Sequence, residues 1–154
     1  MLERVVHELR GLSCLGLELV PPTRKGCAVT RSFGRPVTAL SDAAEAVAAH
    51  ATRAGEKLRG HGLVAGRLMA FVHTSAFREG PQRYAARTTR LVPMTADTRE
   101  LVAAAGRCLR AAWRDGFAYV KAGVVLDDLR AAAEAPAMLF GVPRAGSDAL
   151  MAAV

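Results

Sequence analysis

The stretch from Lys25 to Arg35 combines residue types that can hold an anion. It reads K-G-C-A-V-T-R-S-F-G-R, and the alternation over Cys27 to Phe33 predicts a short strand that runs into a glycine turn. Arg31 and Arg35 flank Gly34, an arrangement that lets backbone approach an anion closely while two guanidinium groups hold it. Taken alone, the same stretch is also compatible with an ordinary strand that carries solvated charges.

Catalytic and metal chemistry has no signature in this sequence. There is no nucleophile–base pattern and no Gly-rich phosphate loop, and the histidines and cysteines lack the spacing of metal ligands. Asp127 and Asp128 are adjacent acids, but neighbours in a strand point to opposite faces and would not converge on one ion. We therefore expect no catalytic residue, no metal ligand and no cofactor in this chain.

The composition predicts a polyanionic partner and a reducing compartment. The 154 residues carry a net charge of +7 and a pI of about 10.2, with 18 Arg against three Lys. Arginine favours bidentate contacts with phosphate. Three widely spaced cysteines indicate no disulfide framework, and no apolar run approaches the roughly 20 residues that span a bilayer. We expect reduced cysteines and a cytoplasmic protein.

The predicted elements follow the order β-α-β-β-α-β. After the first strand, two helical stripes each begin at a residue with a capping hydroxyl, Ser41 or Thr95. This order gives an α+β fold in which a four-stranded antiparallel sheet carries both helices on one face and leaves the other bare. Periodicity does not decide which side of the second strand is buried. The predicted helices are Ser41–Arg59 and Thr95–Arg114, and the later strands are 63–75, 83–92 and 117–127.

Three segments of the chain differ in composition. Residues 1–24 contain a helical stripe at Leu2 to Leu9 and then two adjacent prolines, which predicts the end of a helix followed by an extended linker. Residues 25–130 hold the predicted sheet and its two helices. Residues 131–154 are rich in alanine and nearly neutral, and their prolines predict a flexible tail.

Five motifs occur in an order and spacing that resemble one known domain. They are T-R-S-F-G (Thr30–Gly34), A-x-R-A-x-E-K-L (Ala51–Leu58), F-V-H-T-S-A-F (Phe71–Phe77), T-A-D-T-R-E-L (Thr95–Leu101) and Y-V-K-A-G-V-V-L (Tyr119–Leu126). Together they resemble the little-finger domain of Y-family translesion DNA polymerases, most closely the UmuC-type branch. The resemblance covers roughly Glu3 to Leu129, and the first 24 residues would then be the end of a thumb helix and a linker.

The resemblance implies a DNA-binding domain of an error-prone polymerase that acts in damage bypass and SOS mutagenesis. Little-finger domains lay the bare sheet face along the primer–template duplex and contact phosphates, with little reading of bases. Arg87 and Thr89 match the family's contact positions only weakly, because the family usually has an Asn-Ser pair in the third strand. The better-matched contact positions are Arg31, Ser32, Gly34, His73, Thr74 and Lys121.

The other three histidines, His7, His50 and His61, are scattered along the sequence, and we expect them at the surface.

Further partners and a metal follow from the same resemblance. The catalytic acids and their Mg²⁺ ions would lie in a palm domain upstream, so this chain would bind primer–template or damaged DNA without catalysing a reaction. Family members carry a sliding-clamp peptide just after this domain. Leu139 and Phe140 match its last two residues, whereas Pro136 stands where Gln is usual. A UmuD-type dimer and a RecA filament are the other implied partners.

Two other functions stay open when the residues are considered alone. A general DNA- or RNA-binding α/β module would use the same sheet, and an RNA-reading sheet would display aromatic residues for base stacking. A dimerisation domain would pair its bare face with a second copy, and that face would be apolar rather than rich in Arg, Thr and Lys. The aromatic residues near the predicted strands follow no RNA-reading motif (Phe71, Tyr84, Phe117, Tyr119).

Overall fold

The computed structural model describes residues 2–14, 24–136 and 150–151. The predicted β-α-β-β-α-β order is present, preceded by the predicted N-terminal helix. The helices are α1 (Leu2–Leu9), α2 (Leu40–Gly60) and α3 (Thr98–Ala112). The strands are β1 (Gly26–Val37), β2 (Leu63–Thr74), β3 (Tyr84–Thr95) and β4 (Tyr119–Ala131), followed by a single 3-10 turn at Ala132–Glu134.

The four strands form one antiparallel sheet in the order β1-β4-β2-β3. Because β4 and β2 lie in the centre, each of them is paired on both sides, and β1 and β3 are the edges. Helices α2 and α3 pack against each other and against the same side of the sheet. The predicted α+β fold, with both helices on one face, is therefore confirmed.

The buried side of β2, which periodicity left undecided, is the one that carries Leu68, Ala70 and Val72. All three side chains are fully buried against the helices, whereas Met69 and His73 alternate to the opposite side. Hereafter the two sides of the sheet are called the helix side and the open face. The open face is the side that carries His73.

The buried face of helix α2 is rich in small side chains. Ala43, Ala51 and Ala54 are fully buried, and their small volume lets the helix backbone come close to the strands. Near the end of α2, the Arg59 guanidinium donates hydrogen bonds to the Ala96 carbonyl (3.0 Å) and to the hydroxyl of Thr98, the first residue of α3 (2.8 Å). These bonds fix the two helices relative to each other as one layer.

The helix starts differ from the predicted ones. Helix α2 begins at Leu40 after Ala39, which provides no side-chain cap, and the predicted cap Ser41 lies inside the helix. Helix α3 is capped by Asp97, not by Thr95, and Asp97 accepts a hydrogen bond from the Arg99 N–H (2.8 Å). A carboxylate is a stronger acceptor than a hydroxyl and also favours the positive end of the helix dipole.

The first strand continues through the predicted glycine turn. Strand β1 extends to Val37, and Gly34 has no positive φ angle. The pairing with β4 shifts between Ser32 and Val37, because five steps along β1 correspond to two steps along β4. The segment between them therefore bulges out of the sheet edge instead of turning.

One histidine is not where the sequence predicts it. His50 in α2 is only 8% exposed, and its Nε2 has no hydrogen-bond partner among the described atoms. Burial lowers the pKa of His50, and the positive charges of Arg53 and Arg31 lower it further. His61 is exposed and His7 is half-buried. The prediction that His50 is a surface residue is therefore wrong.

Among the described residues, no helix is long and apolar enough to cross a membrane. The extended linker falls mostly on residues 15–23, outside the described residues. Most of the predicted tail, 137–149, also lies outside them.

Candidate nucleic-acid interface

The strand registers arrange the open face in four rows that cross the sheet from β1 to β3. Residues directly opposite each other in an antiparallel sheet share one side. We number the rows from the end of the sheet near the β2–β3 loop. In the order β1, β4, β2, β3, row one is Ser32, Lys121, His73 and Tyr84. Row two is Thr30, Gly123, Phe71 and Ala86. Row three is Ala28, Val125, Met69 and Thr88. Row four is Gly26, Asp127, Arg67 and Arg90.

Row one brings together three of the predicted DNA-binding residues. Ser32 lies opposite Lys121, and Lys121 lies opposite His73 on its other side. His73 Nδ1 is 2.8 Å from the Thr74 carbonyl oxygen. Since a carbonyl only accepts, this nitrogen carries the proton and the ring orientation is fixed. The row therefore presents a hydroxyl, an ammonium and an oriented imidazole side by side.

Three other predicted residues lie on the helix side by register. Arg31 is opposite Ala122, and its charge acts on His50 of α2. Arg87 is opposite Ala70, and Thr89 is opposite Leu68. Arg31 and Arg87 are nevertheless exposed, because β1 and β3 are edge strands. Their side chains belong to the rim of the sheet and not to its open face, and their contact with DNA stays a prediction.

Thr74 and Gly34 occupy different surroundings from the predicted ones. The Thr74 hydroxyl donates to the Gln82 side chain (2.8 Å) and accepts from the Arg83 N–H (2.9 Å), and the residue is 9% exposed. Its polar atoms therefore stabilise the β2–β3 connection. Gly34 and Arg35 line a shallow groove between β1 and α2, and Asp42 and Glu45 line the same groove. Two carboxylates against one guanidinium make the groove less favourable for a phosphate than the predicted turn with its two arginines would have been.

Row four carries the remaining charges of the open face. Arg67 pairs with Asp127 across β2 and β4 (2.6 Å), and Arg90 lies opposite Arg67 on β3. The Asp127 carboxylate thus reduces the repulsion between two facing arginines. With Lys121 of row one, the open face holds three cationic side chains, Lys121, Arg67 and Arg90, and one carboxylate, Asp127.

An aromatic cluster on the open face was missed by the sequence analysis. The rings of Phe71, His73 and Tyr84 form a nearly equilateral triangle, with centroids 6.1–6.3 Å apart and planes within 28° of each other. The alternation of β2 puts Phe71 and His73 on one side, and the pairing of Tyr84 with His73 adds the third ring. The alternation can be seen in the sequence, but the pairing of β2 with β3 cannot.

Metal binding is not supported by the acids on these strands. Asp127 forms an ion pair with Arg67. Asp128, whose φ angle is positive at 52°, has its carboxylate 3.7 Å from the Arg130 guanidinium. Among the described residues, no three His, Cys, Asp or Glu side chains group together as metal ligands. The described side chains therefore do not fit the carboxylate set that a two-magnesium site needs.

An antiparallel sheet backed by two helices on one side places this domain in the α+β sandwich class, and its open face combines cations with aromatic rings. The sequence model of the impB/mucB/samB family C-terminal domain matches residues 24–138. The chain belongs to this family, which confirms the resemblance to the little-finger domain of Y-family polymerases.

Curated relatives agree with the family match along nearly the whole chain. Protein UmuC of Salmonella typhimurium strain LT2 is 43% identical over 98% of this chain and 36% of its own length. Protein MucB of Escherichia coli is 42% identical over 99% of this chain and 36% of its own length. The chain therefore spans a little over a third of the curated relatives that it matches.

A solved structure described as an insertion ternary complex of Dbh DNA polymerase has the same fold. It matches with a TM-score of 0.54 and 12% identity, over 66% of this chain and 28% of that chain. At this identity the likeness supports the fold alone. Leu139 and Phe140, the predicted clamp-binding residues, lie outside the described residues.

Proposed function

We propose that this chain is the DNA-binding little-finger domain of a translesion DNA polymerase and tethers that polymerase to primer–template DNA. The observation that carries the proposal is row one, in which Ser32, Lys121 and His73 lie side by side on a sheet face that the helices leave open. A hydroxyl, an ammonium and an imidazole are suitable partners for successive phosphate oxygens.

The charge distribution supports contact with the DNA backbone rather than with particular bases. The chain carries +7, and arginines on both edge strands extend the cationic surface around the rim. Such contacts gain affinity by releasing counterions, so they are insensitive to sequence and weaken steeply with salt. A polymerase that crosses damaged template needs a hold on DNA with these properties.

The remaining activities belong, in this proposal, to the longer protein of which the chain is a part. The palm domain of that protein would hold the two Mg²⁺ ions and carry out nucleotide transfer. This chain would contribute DNA binding and no catalysis. That longer protein would act in the cytoplasm during the response to DNA damage, with a UmuD-type dimer and a RecA filament as partners.

A clamp-binding peptide is the second part of the proposal. Leu139 and Phe140 would insert into an apolar pocket of the sliding clamp, and burying each side chain is worth roughly 1.5–3 kcal/mol before the cost of ordering the segment. A synthetic peptide spanning residues 134–144 should bind the cognate clamp at micromolar concentration, and the Phe140→Ala peptide should not. Absence of binding at millimolar concentration would refute this part alone.

The DNA-binding proposal is tested by the salt dependence of affinity. Fluorescence anisotropy with a labelled duplex gives the slope of log K against log salt. Lys121→Ala should flatten the slope by about one unit, because one phosphate contact is lost. Arg31→Ala should change it less, since Arg31 lies on the rim.

Arg107→Ala is the matched control for this titration. Arg107 is an exposed arginine of α3 in the helix layer, so its removal changes the net charge equally and should leave the slope nearly unchanged. If Arg107→Ala and Lys121→Ala flattened the slope equally, the open face would not be the DNA-binding surface.

A further inference from the structure

We propose that the aromatic cluster of Phe71, His73 and Tyr84 stacks on unpaired bases of single-stranded DNA. This inference rests on the proposed function and extends it from the duplex backbone to the single-stranded part of primer–template DNA. It concerns the rings of Phe71 and Tyr84, which a phosphate-binding role leaves unused because an uncharged aromatic face gives little attraction to a phosphate, and the ring face of His73 between them and Lys121.

The inner ring of the cluster is held firmly in place. Phe71 is only 9% exposed although it lies on the open face. Its ring tip lies over Gly123 of β4, where a side chain would come within 2.6 Å of the ring. The glycine therefore makes room for the ring. Phe71 is a positioning residue that supports the two rings beside it.

The outer ring is open to solvent. Tyr84 is 66% exposed on the edge strand β3, although its ring contacts both Phe71 and His73. A large aromatic side chain fixed in an exposed position is typical of a binding surface. His73, whose ring orientation is set by its bond to the Thr74 carbonyl, links this exposed ring to the cationic part of row one.

The geometry favours unpaired bases over duplex DNA as the partner of the rings. In a duplex the faces of the bases are covered by their neighbours, and only their edges are accessible. An unpaired base has a free face that can stack on an aromatic side chain. Lys121 lies directly opposite His73, so a backbone phosphate and its base can be held at once. Surfaces for single strands generally combine these two features.

The test compares three labelled DNA ligands with equal numbers of phosphates, using the full chain and fluorescence anisotropy. They are a mixed-sequence single strand, the same strand with abasic tetrahydrofuran sites, and a duplex. The base-bearing strand should bind at least about fivefold more tightly than the abasic strand, because stacking one base on an aromatic ring is worth this factor or more. Equal affinity for the two strands would overturn the proposal.

Variants of Tyr84 distinguish stacking from simple apolar contact. Tyr84→Phe keeps the ring and should keep the preference for the base-bearing strand. Tyr84→Leu keeps an apolar side chain without a π face, and it should lower affinity for that strand at least threefold while leaving the abasic strand unchanged. Since Tyr84 is exposed on an edge strand, both variants should unfold at nearly the wild-type temperature. Full retention of the preference in Tyr84→Leu would refute the role of the cluster.

Phe77→Leu is the matched control, because Phe77 is an exposed aromatic residue (99%) in the β2–β3 loop and lies outside the cluster. This variant should bind all three ligands like the wild type. Loss of the base preference in Phe77→Leu, with retention in Tyr84→Leu, would place stacking in the loop and refute the proposal. An RNA strand of the same sequence serves as a fourth ligand, and tighter binding to it than to the DNA strand would overturn the assignment to DNA.

Failure of this inference can be separated from failure of the proposed function. If salt-dependent binding to the duplex persists and the base preference is absent, only the stacking proposal is wrong. If the chain binds none of the three ligands, the DNA-binding function itself is wrong.

Discussion

Replacing Gly123 with alanine should disturb the open face without touching its charges. Gly123 lies in β4 between Thr30 of β1 and Phe71 of β2. A Cβ atom at this position would lie 2.6 Å from Phe71 Cε1 and 2.5 Å from Thr30 Cγ2. These distances are too short for any real contact, so both the Phe71 ring and the Thr30 side chain must move away from the added methyl group.

The size of the effect follows from two opposing contributions. Alanine in a strand interior is favoured over glycine by about 0.5–1 kcal/mol, because glycine loses more conformational entropy on folding. Forcing extra volume into a packed site costs about 1–3 kcal/mol. The net free energy of unfolding should therefore fall by about 1 kcal/mol, which for a chain of this size lowers Tm by about 2–4 °C.

The assay is urea or thermal unfolding followed by circular dichroism, with Gly26→Ala as the matched control. Gly26 lies in row four, and the nearest atom to its added Cβ, the Leu126 carbonyl oxygen, would be 3.4 Å away. Gly26→Ala should therefore be neutral or slightly stabilising. If Gly123→Ala were as stable as Gly26→Ala, the close packing of Phe71 over β4 would be refuted.

A double-mutant cycle shows whether the ring itself causes the loss. In the Phe71→Ala background the clash with the ring is absent, so Gly123→Ala should cost at least about 0.5 kcal/mol less than in the wild type. Equal costs in both backgrounds would assign the strain to Thr30. The single Gly123→Ala variant should also lose part of the base preference, because the displaced ring no longer supports its neighbours.

Two further predictions concern the helix layer. Asp97→Ala should lower the free energy of unfolding by about 1 kcal/mol, because α3 loses its N-cap. Asp97→Asn keeps an acceptor oxygen and should lower it less. Equal losses for the two variants in urea unfolding would argue against capping. Because burial and neighbouring arginines lower the pKa of His50, the unfolded state binds more protons below pH 6.5, and stability should fall as the pH drops from 7 to 5. His50→Leu should flatten this dependence in unfolding measured across that range, and an unchanged slope would contradict it.

The order of elements and the general fold could be read from the sequence because they depend on local patterns. Alternation in β2 and the apolar stripes of α2 and α3 are properties of neighbouring residues, and they correctly predicted strands and helices. The helix starts could not be fixed in the same way. Several residues near each start can accept a hydrogen bond, and Asp97 rather than Thr95 caps α3, since its carboxylate is the stronger acceptor at the positive end of the helix dipole.

Some information on the site was present in the sequence and was outweighed by the resemblance. Arg31 shares its side of β1 with Cys27 and Val29, which pack against the core. This alternation alone placed Arg31 with the helix side, although the T-R-S-F-G motif suggested the DNA-binding face. A motif names a strand and its neighbours, but the side of the strand that a residue occupies is decided by which residues the core buries.

The composition of the open face was decided only by the tertiary structure. Ser32, Lys121, His73 and Tyr84 come from four strands, and their alignment in one row depends on the register between those strands. A shift of one residue in any pairing would turn a whole strand over. The sequence by itself determined the strands, the helices and the basic charge. The register brought one lysine and three aromatic rings onto the same surface, because hydrogen bonding between strands joins positions that no local pattern connects.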